Sequence, residues 1–295
     1  MVRYRLCFGT LMTVLFTAIV LFDGWLDGSL TASTADDRPV RGTILCVLVV
    51  VLVILAQLEL SKLLAAKNLK AFTPVSIIVS TLLATTWYWP QIVGSSVPAP
   101  EAGRLSVVFV LAFGLFGLLI YQYICCGTKA VLANCGANCF SIIYLGLLSG
   151  FALAIRVDFG VWALLMFIFV VKSSDIGAYA IGTLFGRHKF SPKVSPGKTW
   201  EGAGAAVAAA VIVAVAFAAG FDIMSWQRAI AFGFCLAFVG QAGDLAESMM
   251  KRDAERKDAA NMVPGFGGIL DIIDSPLVAA PFAYFFFMLS SAYIA

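Results

Sequence analysis

Long apolar segments separated by short polar ones run along the chain, and their lengths predict its architecture. A helix needs about 20 apolar residues to cross the hydrocarbon core of a bilayer. About nine segments approach this length, at 6–22, 43–61, 72–92, 105–126, 139–155, 160–183, 203–220, 228–247 and 275–294. The first run is longer than the usual core of a signal peptide, so it is expected to be a retained transmembrane helix. The pattern predicts an all-α, polytopic integral membrane protein.

The composition argues against an ordinary soluble enzyme. Of the 295 residues, 61% are hydrophobic and 13% are charged, whereas about one-quarter of the residues in a soluble domain are charged. The excess apolar surface is expected to face lipid. The formal net charge of +3 is too small to indicate nucleic acid as a partner. The protein is expected to be surrounded by membrane lipid. Its oligomeric state is left open, and a homodimer is one alternative.

The distribution of basic residues predicts the orientation of the spans, because cytoplasmic loops carry an excess of Lys and Arg. With the N-terminus in the cytoplasm, cytoplasmic segments hold 14 of the 20 Lys and Arg, opposite segments hold 5, and Lys172 lies within a span. This predicts cytoplasmic basic loops after the sixth and eighth spans, in a bacterial-type inner membrane. Residues 1–156 are predicted to hold about five N-terminal helices, and residues 157–295 a catalytic half with two cytoplasmic polar loops.

Two polar groups interrupt the apolar pattern around the sixth span. Lys172 and Asp175 are three residues apart, so they share a helix face, either as a mutually neutralising pair or as part of a substrate or ion site. After the span, the loop 191–202 contains Gly-Lys-Thr. A P-loop needs a glycine at the position of Pro192, so a Walker A site is rejected. Lys198 and the backbone N–H groups of a helix start could instead hold phosphate.

A third polar group combines acids, bases and glycines near the C-terminus. Asp244 and Ser248 are four residues apart and Asp271 and Asp274 are three apart, so each pair shares a helix face. Carboxylates from two segments can bind Mg²⁺ together with substrate phosphates. Glycines allow close approach of the backbone, and nearby bases would neutralise a polyphosphate: Lys251, Arg252, Arg256 and Lys257. The set predicts phosphoryl or nucleotidyl transfer without a protein nucleophile.

Other metal chemistry is less favoured. Cys125, Cys126, Cys135 and Cys139 lie around a short loop, but they lack the paired C-x-x-C spacing of zinc sites, so ordinary packing is favoured. His188 is the single histidine, which disfavours a histidine metal site and a Ser-His-Asp triad.

Three motifs, at 175–187, 195–202 and 248–275, resemble in order those of phosphatidate cytidylyltransferases, also called CDP-diacylglycerol synthases. The resemblance implies that CTP and phosphatidic acid give CDP-diacylglycerol and pyrophosphate, with Mg²⁺ required and K⁺ as an assisting cation. It implies Asp244 and Asp271 as metal ligands. The implied catalytic set is Asp244, Asp271, Lys251, Arg252 and Lys257, and the substrate-binding set is Asp175, Ser195, Lys198, Thr199, Ser248, Asp258, Gly267, Gly268 and Asp274.

Two positions depart from the family pattern and mark a divergent member. The family usually has His where this chain has Phe266, and Arg where it has Ile272. Two alternatives therefore stay open. One is a related membrane enzyme with an altered lipid substrate, such as a polyprenol kinase or a CDP-archaeol-type synthase. The other is a transporter or scaffold without enzymatic activity.

Restoring the family residues tests whether these departures cost activity. We expect Phe266→His with Ile272→Arg to raise CTP turnover by about tenfold, because a hydrogen bond to a charged group contributes about 1.5–3 kcal/mol. Turnover of labelled CTP with phosphatidic acid and Mg²⁺ in detergent measures this. A double variant no faster than the parent protein would show that the departures are neutral.

Overall fold

The protein is built from α-helices, which confirms the predicted fold class. The computed structural model describes residues 2–30, 39–93, 99–256 and 267–291. A π-helical turn, Ile143–Leu147, joins the sixth helix to the seventh. The helices in the described ranges are α1 (Val2–Leu26), α2 (Thr43–Ala66), α3 (Thr73–Ala84), α4 (Trp89–Val93), α5 (Ala99–Cys126), α6 (Val131–Ile142), α7 (Leu148–Phe185), α8 (Trp200–Phe221), α9 (Trp226–Asp253) and α10 (Leu270–Ser291).

Within the described ranges, seven helical segments are long and apolar enough to cross a membrane. Large apolar side chains project from them, such as Phe113 and Ile124 on α5, which are 70% and 73% exposed. A surface of this kind is stable against lipid and not against water. The chain is therefore a multi-pass membrane protein. The segments are Gly9–Leu26, Thr43–Ala66, Glu101–Cys126, Val131–Phe185, Trp200–Phe221, Trp226–Asp253 and Leu270–Ser290.

The predicted count of nine spans differs from these segments at two places. Residues 72–92 form the 12-residue helix α3 and the five-residue helix α4, and α3 is too short to cross the hydrocarbon core. The predicted spans 139–155 and 160–183 both fall in the helical run Val131–Phe185, in which two helices meet at a kink at the predicted boundary. Only Gly160 breaks α7, with φ 87° and ψ −174°, a conformation that is open to glycine and not to other residues.

The chain divides into two compact units. The first comprises Met1–Val161 and Asp258–Ile272, and the second comprises Trp162–Lys257 and Ile273–Ala295. The predicted division of function between residues 1–156 and 157–295 stays a prediction.

Buried amides hold the short helix α3 in the first unit. The Asn138 side-chain oxygen accepts hydrogen bonds from the Phe72 backbone N–H at 2.7 Å and the Ser76 hydroxyl at 3.1 Å. The Ser80 hydroxyl on α3 donates to the Gln57 side-chain oxygen on α2 at 3.3 Å. Such bonds between helices contribute about 0.6–2 kcal/mol each in a membrane, so they fix a helix that is too short to be held by lipid alone.

Three of the four cysteines around the short loop pack as apolar side chains. Cys135 is buried in a cluster with Phe72 and Leu118, and Cys126 and Cys139 pack against that cluster. The fourth, Cys125, is exposed, so the packing interpretation holds for three of the four.

A buried arginine ties α1, α2 and α7 together in the first unit. Arg156 is fully buried. Its Nε lies 3.0 Å from Asp23 Oδ2 and its Nη2 lies 2.5 Å from Asp27 Oδ2. Asp23 Oδ1 also accepts the backbone N–H of Ile44, in the first turn of α2, at 2.8 Å. The carboxylate thus balances the guanidinium charge and caps a helix start at the same time.

Small residues allow α8 and α9 to pack closely in the second unit. Buried alanines recur every four residues along α8, from Ala206 to Ala218. On α9, a Cβ added to Gly233 would lie 2.7 Å from the Cα of Val211. Small residues at such positions let helix backbones approach in a bilayer.

Breaking the arginine network is expected to destabilise the protein. Arg156→Leu leaves two buried carboxylates without a countercharge, which costs about 3–5 kcal/mol, so the thermal unfolding temperature in detergent should fall sharply. As a control, Arg156→Met combined with Asp23→Asn and Asp27→Asn removes all three charges and should recover much of the loss. Equal stability of Arg156→Leu and the parent protein would contradict a charge-pairing role.

Candidate active site

Helix α9 presents a row of polar side chains along one face in the second unit. Glu247 and Lys251 are one turn apart, with 2.5 Å between Lys251 Nζ and Glu247 Oε2. The Ser248 hydroxyl donates to Asp244 Oδ1 at 3.4 Å. Spacings of three and four residues place these groups on adjacent turns of one helix face. The predicted alignment of Asp244 and Ser248 is therefore confirmed.

A glycine on α9 lets α10 approach this row. A Cβ added to Gly243 would lie 2.9 Å from the backbone oxygen of Asp274, so a larger residue would force the helices apart. The close approach brings Asp274 to Asp244 and Glu247, and ligand oxygens of the three carboxylates lie within 4.8 Å of one another. Glu247 is 1% exposed and Asp274 is 6% exposed. Three clustered oxygen donors, two of them buried, suit a hard divalent cation.

The loop before α8 contributes a lysine to the same cluster. Lys198 Nζ lies 3.0 Å from Asp244 Oδ2 and donates to the Gln241 backbone oxygen at 2.9 Å. The next residue, Thr199, is the N-cap of α8, and its hydroxyl accepts the Gly202 N–H at 3.2 Å. Because a capping side chain fixes the start of a helix, Lys198 is held where the loop meets α8.

Asp175 on α7 forms the other edge of the cluster. Its Oδ2 lies 3.4 Å from Lys172 Nζ, and its Oδ1 accepts a hydrogen bond from the Ser275 hydroxyl at 3.3 Å. The prediction that Lys172 and Asp175 share one helix face is therefore confirmed. Ser275 follows Asp274 directly, so Asp175 meets α10 beside one of the three clustered carboxylates.

The charges of this part of the second unit nearly balance. Four carboxylates face three ammonium groups within a set of contacting helices. Such an arrangement can hold a cation on its acidic side and offer ammonium groups to a polyphosphate, which is what phosphoryl and nucleotidyl transfer require. The carboxylates are Asp175, Asp244, Glu247 and Asp274, and the ammonium groups are Lys172, Lys198 and Lys251.

Asp271 lies in the first unit, at the start of α10. Its Oδ2 accepts the backbone N–H of Gly268 at 2.6 Å. Gly267 has φ +97°, a conformation that side-chain-bearing residues rarely adopt. A carboxylate offers about four acceptor positions, so Asp271 can accept this hydrogen bond and still bind a metal ion. Its role as a metal ligand stays a prediction.

Comparison with known proteins shows the family. Residues 39–290 match the cytidylyltransferase family. The chain belongs to this family. The match contains the whole of the acidic and basic cluster described above, together with α2 and the start of α10.

Bacterial relatives of this cytidylyltransferase are named phosphatidate cytidylyltransferase. The protein of Bacillus subtilis (strain 168) is 31% identical over 240 residues, which cover 80% of this chain and 87% of the relative. That of Brucella suis biovar 1 is 35% identical over 204 residues, or 68% and 72% of the two chains. That of Haemophilus influenzae is 42% identical over 132 residues, or 42% and 46%.

Other predicted site residues lie outside the cluster or outside the described ranges. Arg252 is exposed, and its Nε donates to the Val194 backbone oxygen at 3.4 Å, which ties the end of α9 to the loop before α8. Ser195 lies half-buried in that loop. Lys257 and Asp258, along with the divergent Phe266, lie outside the described residues.

Sequence reasoning assigned no role to Glu247, which the structure places at the centre of the cytidylyltransferase cluster. The spacing of Glu247 from its neighbours was the signal in the sequence that could have identified it. Glu247 is three residues after Asp244 and four before Lys251, so a helix must align all three. A buried glutamate that shares a face with a predicted metal ligand is itself a candidate ligand.

Glu247 provides a test of the acidic cluster. We expect Glu247→Gln to weaken Mn²⁺ binding, measured by electron paramagnetic resonance in detergent, by at least about tenfold, since even residues outside the ligand set of a metal change affinity 10- to 100-fold. Asp253→Asn, an exposed carboxylate on the same helix, is the matched control. Unchanged binding in Glu247→Gln, with loss in Asp271→Asn, would favour the predicted pair of Asp244 and Asp271.

Proposed function

We propose that this protein transfers the cytidylyl group of CTP to phosphatidic acid, giving CDP-diacylglycerol and pyrophosphate. The observation that carries the proposal is the grouping of Asp244, Glu247 and Asp274, on the segment that carries the family motifs. Lys198 contacts Asp244 and Lys251 contacts Glu247. The names of the bacterial relatives support the same reaction. An acidic cluster with ammonium groups beside it is suited to a triphosphate, which brings both negative charge and a bound divalent cation.

Asp244, Glu247 and Asp274 would hold Mg²⁺. Their grouped oxygens fit the preference of Mg²⁺ for carboxylates and substrate phosphates. When bound, the ion would neutralise charge on the triphosphate and polarise its oxygens. By resemblance, Asp271 would be a further ligand and K⁺ an assisting cation.

The lysines would exchange partners when substrate binds. Lys198 and Lys251 contact Asp244 and Glu247 at 3.0 and 2.5 Å. The two ammonium groups would turn from those carboxylates toward the phosphate oxygens of the substrate, which attract them by charge. Flexible lysine stems permit this movement. Arg252, at the exposed end of α9, and Lys257 would add further phosphate contacts.

Bond changes in the proposed reaction need no protein nucleophile. An oxygen of the phosphatidate phosphate forms a bond to the α-phosphorus of CTP. The bond from that phosphorus to the bridging oxygen breaks, and pyrophosphate leaves with its electron pair. The protein then acts by placing the two phosphates in line and stabilising negative charge. Asp175, held between Lys172 and Ser275, would line the polar side of this site, with Ser195, Thr199, Ser248, Asp258, Gly267 and Gly268 as further substrate-binding residues.

We place the protein in a bacterial-type inner membrane with the N-terminus and the basic loops in the cytoplasm. The excess of Lys and Arg in the segments predicted to be cytoplasmic supports this orientation, as does the bacterial source of the relatives. CTP is a cytosolic anion, so it would meet the basic loops on this side. Nucleic acid is not an expected partner. The oligomeric state is left open, with a homodimer as one alternative.

The reaction is tested with purified protein in detergent, labelled CTP, phosphatidic acid and Mg²⁺. We expect CDP-diacylglycerol to form and EDTA to stop it. Asp244→Asn and Asp271→Asn should each lower kcat by about 100-fold or more, since a catalytic metal contributes several kcal/mol to the stability of the transition state.

Further substrates separate the alternatives in the same assay. Asp253→Asn, away from the cluster, should retain parental turnover. CTP consumption with a polyprenol but not with phosphatidic acid would replace the proposal by the kinase alternative. No consumption of CTP by folded protein would favour a transporter or scaffold. Substantial turnover by Asp271→Asn would remove that residue from the metal site.

A further inference from the structure

The residue that precedes helix α10 has no side chain that can cap the helix. Helix starts leave backbone N–H groups without partners inside the helix, and Ser, Thr, Asp or Asn at the N-cap commonly accepts one of them. Ile269 precedes the first residue of α10 and has no polar side-chain atom. The first turn of α10 therefore needs an acceptor from elsewhere in the chain.

Glu59 on α2 supplies that acceptor. Its Oε1 accepts the backbone N–H of Ile269 at 2.9 Å, and its Oε2 accepts that of Leu270 at 2.9 Å. Glu59 is 210 residues from Ile269 and 211 residues from Leu270 in the sequence. Glu59 is 1% exposed in a membrane-spanning helix, where an ionisable side chain is stable only with a suitable partner. A carboxylate at a helix N-terminus also interacts favourably with the helix dipole.

The residues before α10 are shaped to receive this carboxylate. A Cβ added to Gly268 would overlap the Glu59 carboxylate, so a side chain at this position would push Glu59 out. The Gly268 N–H points instead to Asp271 Oδ2, at 2.6 Å. Glu59 and Asp271 together accept three successive backbone N–H groups, those of residues 268, 269 and 270.

We propose that Glu59 is a positioning residue for catalysis: it fixes the first turn of α10 and thereby the placement of Asp271. The role of Asp271 rests on the proposed function, whereas the contact of Glu59 with α10 does not. Glycine-rich helix starts commonly bind phosphate. Here the Glu59 carboxylate occupies the backbone N–H groups of Ile269 and Leu270, so these two donors hold Glu59 in place of a phosphate.

The variant Glu59→Gln tests the proposal with little change in shape. A glutamine can accept one backbone N–H through its oxygen, but its NH₂ group faces the other. We expect faster hydrogen–deuterium exchange in residues 268–272, measured by mass spectrometry in detergent. We also expect kcat to fall by about 10- to 100-fold, because small displacements of catalytic groups cost rate on this scale, with KM for CTP little changed. Glu59→Asp keeps two carboxylate oxygens and should recover part of both effects.

Gln57→Leu is the comparator for a purely structural loss. Gln57 is fully buried on the same helix and bonds to Ser141 and Ser80, so its loss should lower the unfolding temperature and leave exchange in 268–272 unchanged. Glu101 is an exposed carboxylate on α5, so Glu101→Gln controls for the replacement of a carboxylate by an amide.

Two results would overturn the proposal. One is parental exchange in 268–272 for Glu59→Gln. The other is a fall in kcat no larger than that of Gln57→Leu, at matched loss of stability and without recovery in Glu59→Asp. If the parent protein does not turn over CTP with phosphatidic acid, the proposed function fails, and the exchange experiment still decides whether Glu59 fixes the start of α10.

Discussion

An ionisable side chain in an apolar helix must find a partner of opposite character, and much of this structure follows from that requirement. Water is absent from the hydrocarbon core, so an unpaired charge is costly there. Asp23 and Asp27 meet Arg156, Glu247 meets Lys251, and Glu59 meets the backbone of α10. Each contact fixes the position of one helix, or one helical turn, against another. Hydrophobic packing alone would not fix it, since lipid is as apolar as the helix surfaces.

The same requirement prepares the second unit for chemistry. Asp244 and Glu247 are held by Lys198 and Lys251, so the carboxylates are already grouped and the ammonium groups already lie beside them. Under the proposed function only the lysine side chains would need to turn when substrate binds, and preorganised charge is a major source of rate enhancement. Stability and proposed function draw on one set of ion pairs.

At two helix starts of the first unit, a side-chain carboxylate accepts hydrogen bonds from backbone N–H groups. Asp23 accepts N–H groups in the first turn of α2, and Glu59 accepts those at the start of α10. In both, a buried acid from another helix replaces the local capping side chain. The device satisfies an acid and a helix terminus together, which is economical where neither can be hydrated.

Local geometry made part of this structure predictable. The apolar segments determined the all-α membrane fold, and spacings of three and four residues placed Lys172 beside Asp175 and Asp244 beside Ser248, because an α-helix repeats every 3.6 residues. The predicted span 72–92 was wrong, because α3 ends at Ala84 and the Thr85 and Thr86 hydroxyls donate to backbone oxygens of its last turn. Tertiary packing decided the rest. Asp274 joins Asp244 and Glu247 because Gly243 admits α10, and Glu59 caps α10 from 210 residues away. No sequence spacing encodes these contacts, since they depend on which helix faces pack together.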